Sequence, residues 1–226
     1  DVRDHFQESI EAGSNLEKSW NDLLEEYSEK YPGEAQELKR RLANKLPDDW
    51  EVPSFETDSK GMATRAASGK VLNALAKDIP ELLGGSADLA PSNKTWIEGS
   101  PGFEAEDYQG RNFHFGVREH AMGSVVNGMA LHGGLIPYGG TFLVFLDYMR
   151  PAVRLSALSH IPSIWIYTHD SVGVGEDGPT HQPVEHLASL RAIPSLVTIR
   201  PNDANEVAQA WAYAIQRRVG PTALIF

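Results

Sequence analysis

The chain has 226 residues, of which 41% are hydrophobic, enough for one or one and a half globular domains with a buried core. Its formal net charge is −11 and its basic residues cluster only at 39–41 and 217–218, so the charge pattern expected of a nucleic-acid or membrane partner is missing. It contains no cysteine, which excludes disulfides, thiolate nucleophiles and cysteine-bound zinc, and favours a cytoplasmic location, with an organelle stroma as the alternative.

The first 60 residues carry most of the net negative charge and are predicted to form two helices. Ser14 and Glu17 have the spacing of a capping box, which predicts a helix start at this point. Apolar side chains at helical spacing follow until Pro32, namely Leu16, Trp20, Leu23, Tyr27 and Tyr31. A second helical stripe ends at Pro47 and consists of Ala35, Leu38, Leu42 and Leu46.

The next segment, PDDWEVPSFETDSKG, has two prolines, many polar residues and no periodicity, so it is predicted to connect two domains. We place the domain boundary between residues 61 and 62. The two N-terminal stripes have little to cover them within the first 60 residues, and the chain stops at TALIF, an apolar run typical of an interior strand. We therefore expect a fragment or a subunit of a larger protein.

From residue 62 onward, short apolar stretches alternate with stretches of helical period. The predicted strands are 82–84, 112–115, 135–138, 163–168, 196–200 and 222–226. The predicted helices are 63–77, 118–132, 142–159, 183–191 and 203–217, the last of them opened by the capping residues Asn202 and Asp203. This alternation predicts an α/β fold with a parallel sheet flanked by helices.

Ligands of parallel α/β sheets bind at the carboxyl ends of the strands, so a functional site is expected in the loops that follow the strands. Four of these loops are rich in glycine and in ionisable or aromatic residues. They are GGSADLAPSN (84–93), GVREHAMG (116–123), YGGTFLVFLDY (138–148) and THDSVGVGEDGPTHQP (168–183).

Two of the loops offer groups suited to a cofactor. Glu119 follows a strand and opens a helix, where it is either an ordinary first-turn acid or a functional carboxylate at the positive end of the helix dipole. Phe142, Phe145 and Tyr148 have a spacing that aligns them along one edge of a helix. That edge either packs in the core or stacks on a flat heterocycle.

The last loop carries five ionisable side chains, namely His169, Asp170, Glu176, Asp177 and His181. They are compatible with a metal site, with a hydroxyl-binding loop for a polar substrate, or with a solvated turn. Arg65 lies at a predicted helix start, where it either helps free backbone amides to hold a phosphate or is simply solvated. The sequence has no Walker-type phosphate loop and no GxSxG or HExxH motif. The stretch GVGEDG (173–178) has the spacing GxGxxG, but it runs directly into Pro179 instead of opening a helix, so it is not a dinucleotide-binding fingerprint.

The motifs GGSADLAPSN, FGVREHAMG, YGGTFLVFLDYMRPAVRLSALS and THDSVGVGEDGPTHQPVEHLASLR together resemble the transketolase family, and the resemblance runs along the whole chain. It implies that residues 62–226 form a pyrimidine-binding domain and that residues 1–61 are the helical end of a diphosphate-binding domain with its linker. It also implies an enzyme that uses thiamin diphosphate to transfer a two-carbon ketol unit from a ketose phosphate to an aldose phosphate, at a site between two subunits.

The resemblance implies roles for individual residues as well. Glu119 is expected to be catalytic, because a carboxylate that hydrogen-bonds the aminopyrimidine ring of the cofactor shares a proton with it. The other expected cofactor-binding residues are Asp88, Phe142, Phe145 and Tyr148. The expected substrate-binding residues are Arg65, Ser92 and His169 for the phosphate and Asp177 and His181 for the sugar hydroxyls, with His181 also expected to be catalytic.

The family's GDG-type motif, which binds Mg²⁺ or Ca²⁺ and the diphosphate, is not in this sequence, so no metal ligand is expected in this chain. A homodimer or a partner chain is expected to supply the diphosphate-binding domain. Related alternatives are dihydroxyacetone synthase and 1-deoxy-xylulose-5-phosphate synthase, although the loop 168–183 favours transketolase over the latter. A non-catalytic assembly chain with the same fold is the alternative from a different class.

Overall fold

A computed structural model describes residues 1–56, 60–175 and 177–226. The chain forms two compact units, Asp1–Lys45 and Leu46–Phe226. The division between the units lies upstream of the domain boundary that we predict between residues 61 and 62. Residues 46–55 therefore belong to the second unit.

The first unit consists of the helices α1 (Val2–Lys30) and α2 (Pro32–Leu42). The Asp1 carboxylate caps α1 by accepting hydrogen bonds from two backbone N–H groups of the first turn, at 2.7 and 3.0 Å. The predicted capping box at Ser14 and Glu17 is wrong, because the helix starts upstream and runs through both residues. The stripe that includes Leu16 and Trp20 is exposed.

Although α1 is long, no helix in the described part of the chain is both long and apolar enough to cross a membrane.

The second helix also differs from its predicted extent. α2 ends at Leu42, and Leu46 instead packs against a core of the second unit. Within α2, the Glu37 carboxylate accepts hydrogen bonds from Arg40 and Arg41 at 2.6 and 2.7 Å. These two guanidinium groups outweigh the effect of burial and lower the pKa of Glu37 to about 2.

The second unit contains a six-stranded parallel sheet, which confirms the predicted α/β fold. In chain order the strands are β1 (Leu82–Ser86), β2 (Asn112–His114), β3 (Ile136–Phe142), β4 (Ile164–Thr168), β5 (Val197–Ile199) and β6 (Thr222–Ile225). Their order in the sheet is β2-β1-β3-β4-β6-β5. Because all neighbouring pairs are parallel, the loops after the strands lie at the same edge.

Helices cover both faces of this sheet. They are α3 (Thr64–Asp78), α4 (Ala90–Asn93), α5 (Glu119–His132), α6 (Leu146–Leu158), α7 (His186–Arg191) and α8 (Ala204–Gln216). One core lies between the sheet and α3 with α8, and a second lies between the sheet and α5 with α6. Adjacent strand residues enter opposite cores, as when Ile164 faces α8 and Trp165 faces α6, because side chains alternate across a strand.

The segment before α3 is anchored to the second unit despite its polar, aperiodic sequence. Trp50, Val52 and Phe55 are partly buried against the core of α3 and α8. The backbone N–H of Phe55 donates to Asn205 Oδ1 and the Asn205 side-chain amide donates to the Phe55 carbonyl, both at 2.9 Å. Asp203 caps α8, as predicted, by accepting hydrogen bonds from backbone N–H groups of its first turn. The part of the predicted linker up to Phe55 therefore packs on the second unit through apolar side chains and the Asn205 amide.

β3 extends four residues beyond its predicted end, to Phe142. Gly139 in this extension lets α5 pack closely on the strand, because a Cβ at this position would lie only 3.3 Å from side-chain atoms of Met122 and Val126 on α5. The predicted helix at 142–159 begins instead with a short 3-10 helix, Leu143–Phe145, followed by α6. The proposed helical alignment of the three aromatic residues is therefore wrong, because they lie on a strand end, a 3-10 helix and an α-helix.

Gly85→Ala should lower the free energy of unfolding by about 1–3 kcal/mol, because its Cβ would collide with the backbone carbonyl of Phe113 on β2. Gly128→Ala is the matched control, since a Cβ at this position in α5 has no heavy atom within 4 Å. It should stabilise the helix by about 0.5–1 kcal/mol. Chemical denaturation measures both changes, and equal effects from the two substitutions would contradict the close approach of β1 and β2.

Candidate active site

An aromatic cluster lies at the carboxyl edge of β3. The rings of Phe142 and Phe145 stack with centroids 5.8 Å apart and planes inclined by 7°. Tyr148 lies 6.0 Å beyond Phe145, and His181 meets Phe145 edge-on at 5.3 Å. Phe142 is 6% exposed and Tyr148 is 65% exposed, so the cluster leads from the core to the surface. The rings meet even though they do not lie along one continuous helix, as the sequence predicted.

Three residues expected to bind phosphate also come together. Arg65 in the first turn of α3 donates a hydrogen bond to the Ser92 carbonyl at 3.1 Å, and its Nη1 lies 3.4 Å from His169 Nε2. The imidazole of His169 in turn lies 3.8 Å from the Phe142 ring, measured between centroids. Arg65 and His169 therefore join the predicted phosphate-binding group to the aromatic cluster.

His169 is held by its backbone and by its neighbours. Its φ of 57° places it in the left-handed region, which is uncommon for a residue other than glycine. Burial lowers the pKa of His169, and the Arg65 guanidinium lowers it further. The carboxylates of Asp177 and Asp170 act in the opposite direction. The net effect is a lowered pKa, so the ring is predominantly neutral at pH 7.

A buried polar network that no sequence motif indicates supports His169. Thr168 Oγ1 lies 2.8 Å from His169 Nδ1 and accepts a hydrogen bond from the Asn93 amide at 2.6 Å. Ser86 Oγ donates to Asn93 Oδ1 at 2.5 Å and also lies 2.9 Å from the Gly140 carbonyl. The network links three loops at the sheet edge. Asn93 is fully buried within a polar stretch, and no periodicity distinguishes it.

The loop after β4 is exposed apart from its last turn. His181 ends a short 3-10 helix, Pro179–His181, and is half-buried, with its Nδ1 2.8 Å from Thr180 Oγ1. Asp177 is exposed, and Glu176 lies outside the described residues. The exposed Asp177 is therefore accessible to a polar ligand.

Glu119 is the first residue of α5 and is 8% exposed. Among the described residues its carboxylate has no hydrogen-bond or ion-pair partner. It lies one turn before Met122, which packs over Gly139 of β3, so α5 places it at the same sheet edge as the aromatic cluster. Asp88, after β1, is exposed with a φ of 65°. No described ring contact or hydrogen bond joins Glu119 or Asp88 to the cluster itself.

Residues 60–226 match the family model of the transketolase pyrimidine-binding domain, which accounts for about three-quarters of the chain. The chain belongs to the transketolase family. Residues 1–47 match the model of the transketolase thiamine diphosphate-binding domain. The resemblance found in the four loop motifs is thereby confirmed.

Several transketolases are similar to this chain. Those of Geobacillus stearothermophilus and Bacillus subtilis are 55% identical to it over 228 residues, which cover 100% of this chain and 34% of each relative. The chain thus spans about a third of the length of these curated relatives. The Pichia stipitis transketolase in complex with sedoheptulose-7-phosphate is 45% identical with a TM-score of 0.93, covering 96% of this chain and 33% of that one.

A more distant solved structure is a split-gene transketolase described as an inactive β4 tetramer. It is 29% identical to this chain with a TM-score of 0.58, and the match covers 73% of this chain and 51% of that one. The pyrimidine-domain fold therefore also occurs in a transketolase that is divided between genes.

We expect NMR titration of His169 to give a pKa below its ordinary value of 6.5. Arg65→Met should raise that pKa, because it removes a nearby positive charge, and Asp177→Asn should lower it, because it removes a negative one. Lys70→Met, an exposed charge change on the same helix as Arg65, is the control and should leave the titration unchanged. A shift of the wrong sign in either variant would show that these charges do not act on the imidazole.

Proposed function

We propose that this chain carries the pyrimidine-binding half of a thiamin diphosphate-dependent active site. The complete enzyme would transfer a two-carbon ketol unit from a ketose phosphate to an aldose phosphate. The observation that carries the proposal is the buried Glu119 carboxylate, which has no partner among the described residues and lies at the same sheet edge as the stacked Phe142 and Phe145.

The residues present fit the pyrimidine ring of this cofactor. The Glu119 side chain is largely buried and its carboxylate accepts no hydrogen bond from a described residue, so it is available to a ligand that brings an N–H group to it. Phe142, Phe145 and Tyr148 offer aromatic faces for a flat heterocycle. The combination favours an aromatic ring with polar nitrogen atoms over an aliphatic ligand.

The role of Glu119 follows from this placement. Thiamin diphosphate, when bound, supplies the nucleophilic carbon that takes up the two-carbon unit. Glu119 holds a proton between its carboxylate oxygen and a pyrimidine nitrogen, and thereby controls the protonation of the ring. Its position at the N-terminus of α5 stabilises the negative charge on the carboxylate.

The substrate would bind on the other side of the aromatic cluster. We assign its phosphate to Arg65, Ser92 and His169, of which the Arg65 guanidinium is the cationic member. We assign the sugar hydroxyls to Asp177 and to His181, which would also act on the reacting part of the sugar. The sedoheptulose-7-phosphate bound by the Pichia stipitis neighbour supports a phosphorylated sugar as the substrate class.

We also propose that a second subunit completes the site. No GDG-type motif occurs in this sequence, so the diphosphate and its Mg²⁺ or Ca²⁺ would be bound by residues that this chain does not contain. Exposed apolar side chains on α5 and α6, namely Val125, Leu131, Leu155 and Leu158, provide a surface that a partner subunit could cover. Asp88 would lie near the cofactor at this contact.

Glu119→Gln should reduce ketol transfer by two or more orders of magnitude in the assembled enzyme, because the amide cannot hold the proton. Cofactor affinity should change by no more than about tenfold, since the aromatic contacts remain. Glu34→Gln is the matched control, a first-turn glutamate of α2 that is exposed. Transfer from xylulose 5-phosphate to ribose 5-phosphate measures activity, and a rate within a few-fold of wild type would refute the role.

The 226-residue chain alone should bind thiamin diphosphate no better than about millimolar. Ring stacking and one charge-assisted hydrogen bond supply roughly 3–5 kcal/mol before the costs of association, and the diphosphate finds no basic cluster or phosphate loop in this acidic sequence. The inactivity of the split-gene β4 tetramer is consistent with this expectation. Calorimetric titration with the cofactor and Mg²⁺ tests it, and micromolar affinity would contradict it.

A further inference from the structure

A cluster of one histidine and two carboxylates joins the first turn of α6 to the start of α7. One ring nitrogen of His186, one oxygen of Asp147 and one oxygen of Glu185 all lie within 4.8 Å of one another. None of these residues takes part in the cofactor or substrate assignments made above. The cluster therefore needs an explanation of its own.

The imidazole of His186 is buried without a hydrogen bond. Its side chain is 5% exposed, and neither ring nitrogen has a hydrogen-bond partner. Nε2 lies 3.3 Å from Asp147 Oδ2 and Nδ1 lies 3.9 Å from Glu185 Oε2, so both carboxylates are close but unsuitably placed for hydrogen bonding. A buried imidazole in this state is unfavourable, since each of its nitrogens has lost its contact with water.

The geometry points to a divalent cation site formed by His186, Asp147 and Glu185. A neutral imidazole nitrogen and two carboxylate oxygens are the donors that Zn²⁺ and similar first-row divalent ions accept. The site would carry two negative charges before the ion binds. A divalent ion would neutralise them and give one of the two buried ring nitrogens of His186 a partner.

The ion would reach the site from solvent. The side chains of Asp147 and Glu185 are 59% and 73% exposed, so both carboxylates can adjust by the small movements that metal–ligand distances of about 2 Å require. Water would complete the coordination on the exposed side. The bound ion would link α6, which begins directly after Phe145, to α7, which follows the loop of His181, and would stiffen the connection between two parts of the sheet edge.

Calorimetric titration of the 226-residue chain with ZnCl₂ tests this inference. We expect one ion per chain with a dissociation constant on the order of micromolar, and a rise in the melting temperature of the loaded chain. Asp147→Asn, Glu185→Gln and His186→Asn should each weaken binding at least tenfold and remove the rise. The two carboxylate variants keep the test decisive if the buried His186→Asn chain does not fold, because their side chains are exposed.

His5→Gln is the matched control, since His5 lies 3.9 Å from Glu8 in an exposed pair and should contribute nothing to tight binding. Titration with Co²⁺ adds a spectroscopic readout, because its visible absorption reports nitrogen and oxygen coordination and should disappear in Asp147→Asn. Absence of saturable binding in the wild-type chain would overturn the inference. Unchanged affinity in both Asp147→Asn and Glu185→Gln would also overturn it. The cluster would then be an ion pair between protonated His186 and the carboxylates. Neither outcome would bear on the proposed ketol transfer, which uses other residues.

Discussion

Parallel hydrogen bonding between all six strands is the constraint on which the candidate site depends. Because every strand points the same way, each connection must cross back over the sheet, and the loops that follow the strands collect at one edge. Arg65 and His169, more than a hundred residues apart, meet there at 3.4 Å. An antiparallel pair among the central strands would have moved one of these loops to the opposite edge.

Close packing around β3 gives this edge its detail. Gly139 lets α5 approach the sheet, so that Met122 rests on the strand and Glu119 is carried to its carboxyl end. On the other face, Gly140 leaves room for Thr95, because a Cβ at residue 140 would lie 2.8 Å from the Thr95 side chain. The two glycines therefore set how closely α5 on one face and Thr95 on the other pack against β3, the strand that ends at Phe142. The positions of the candidate site residues Glu119 and Phe142 therefore depend on Gly139 and Gly140.

The sequence predicted the strands well because each is a short apolar run bounded by polar turns. It failed where a boundary depends on contacts distant in sequence. β3 continues through Gly139 and Gly140, which α5 and Thr95 cover on opposite faces. α1 starts at Val2, although the spacing of Ser14 and Glu17 imitates a helix start. In the candidate site, the sequence singled out chemically distinctive residues such as Glu119, whose role stays a prediction. The buried Asn93 was not predicted, because its burial depends on a hydrogen bond to Thr168, which lies 75 residues away in the chain.

The left-handed backbone at His169 limits how this site can be altered. If the position were randomised to alter the proposed phosphate site, most replacements would incur about 1–2 kcal/mol of backbone strain before any contact with a ligand was tested. Asparagine, aspartate and glycine would escape most of that strain, because they adopt this conformation readily. Variants recovered from such a library would thus reflect tolerance of the main chain as much as fit to a substrate. Arg65, which lies in a regular helix, is the better position at which to search for new specificity.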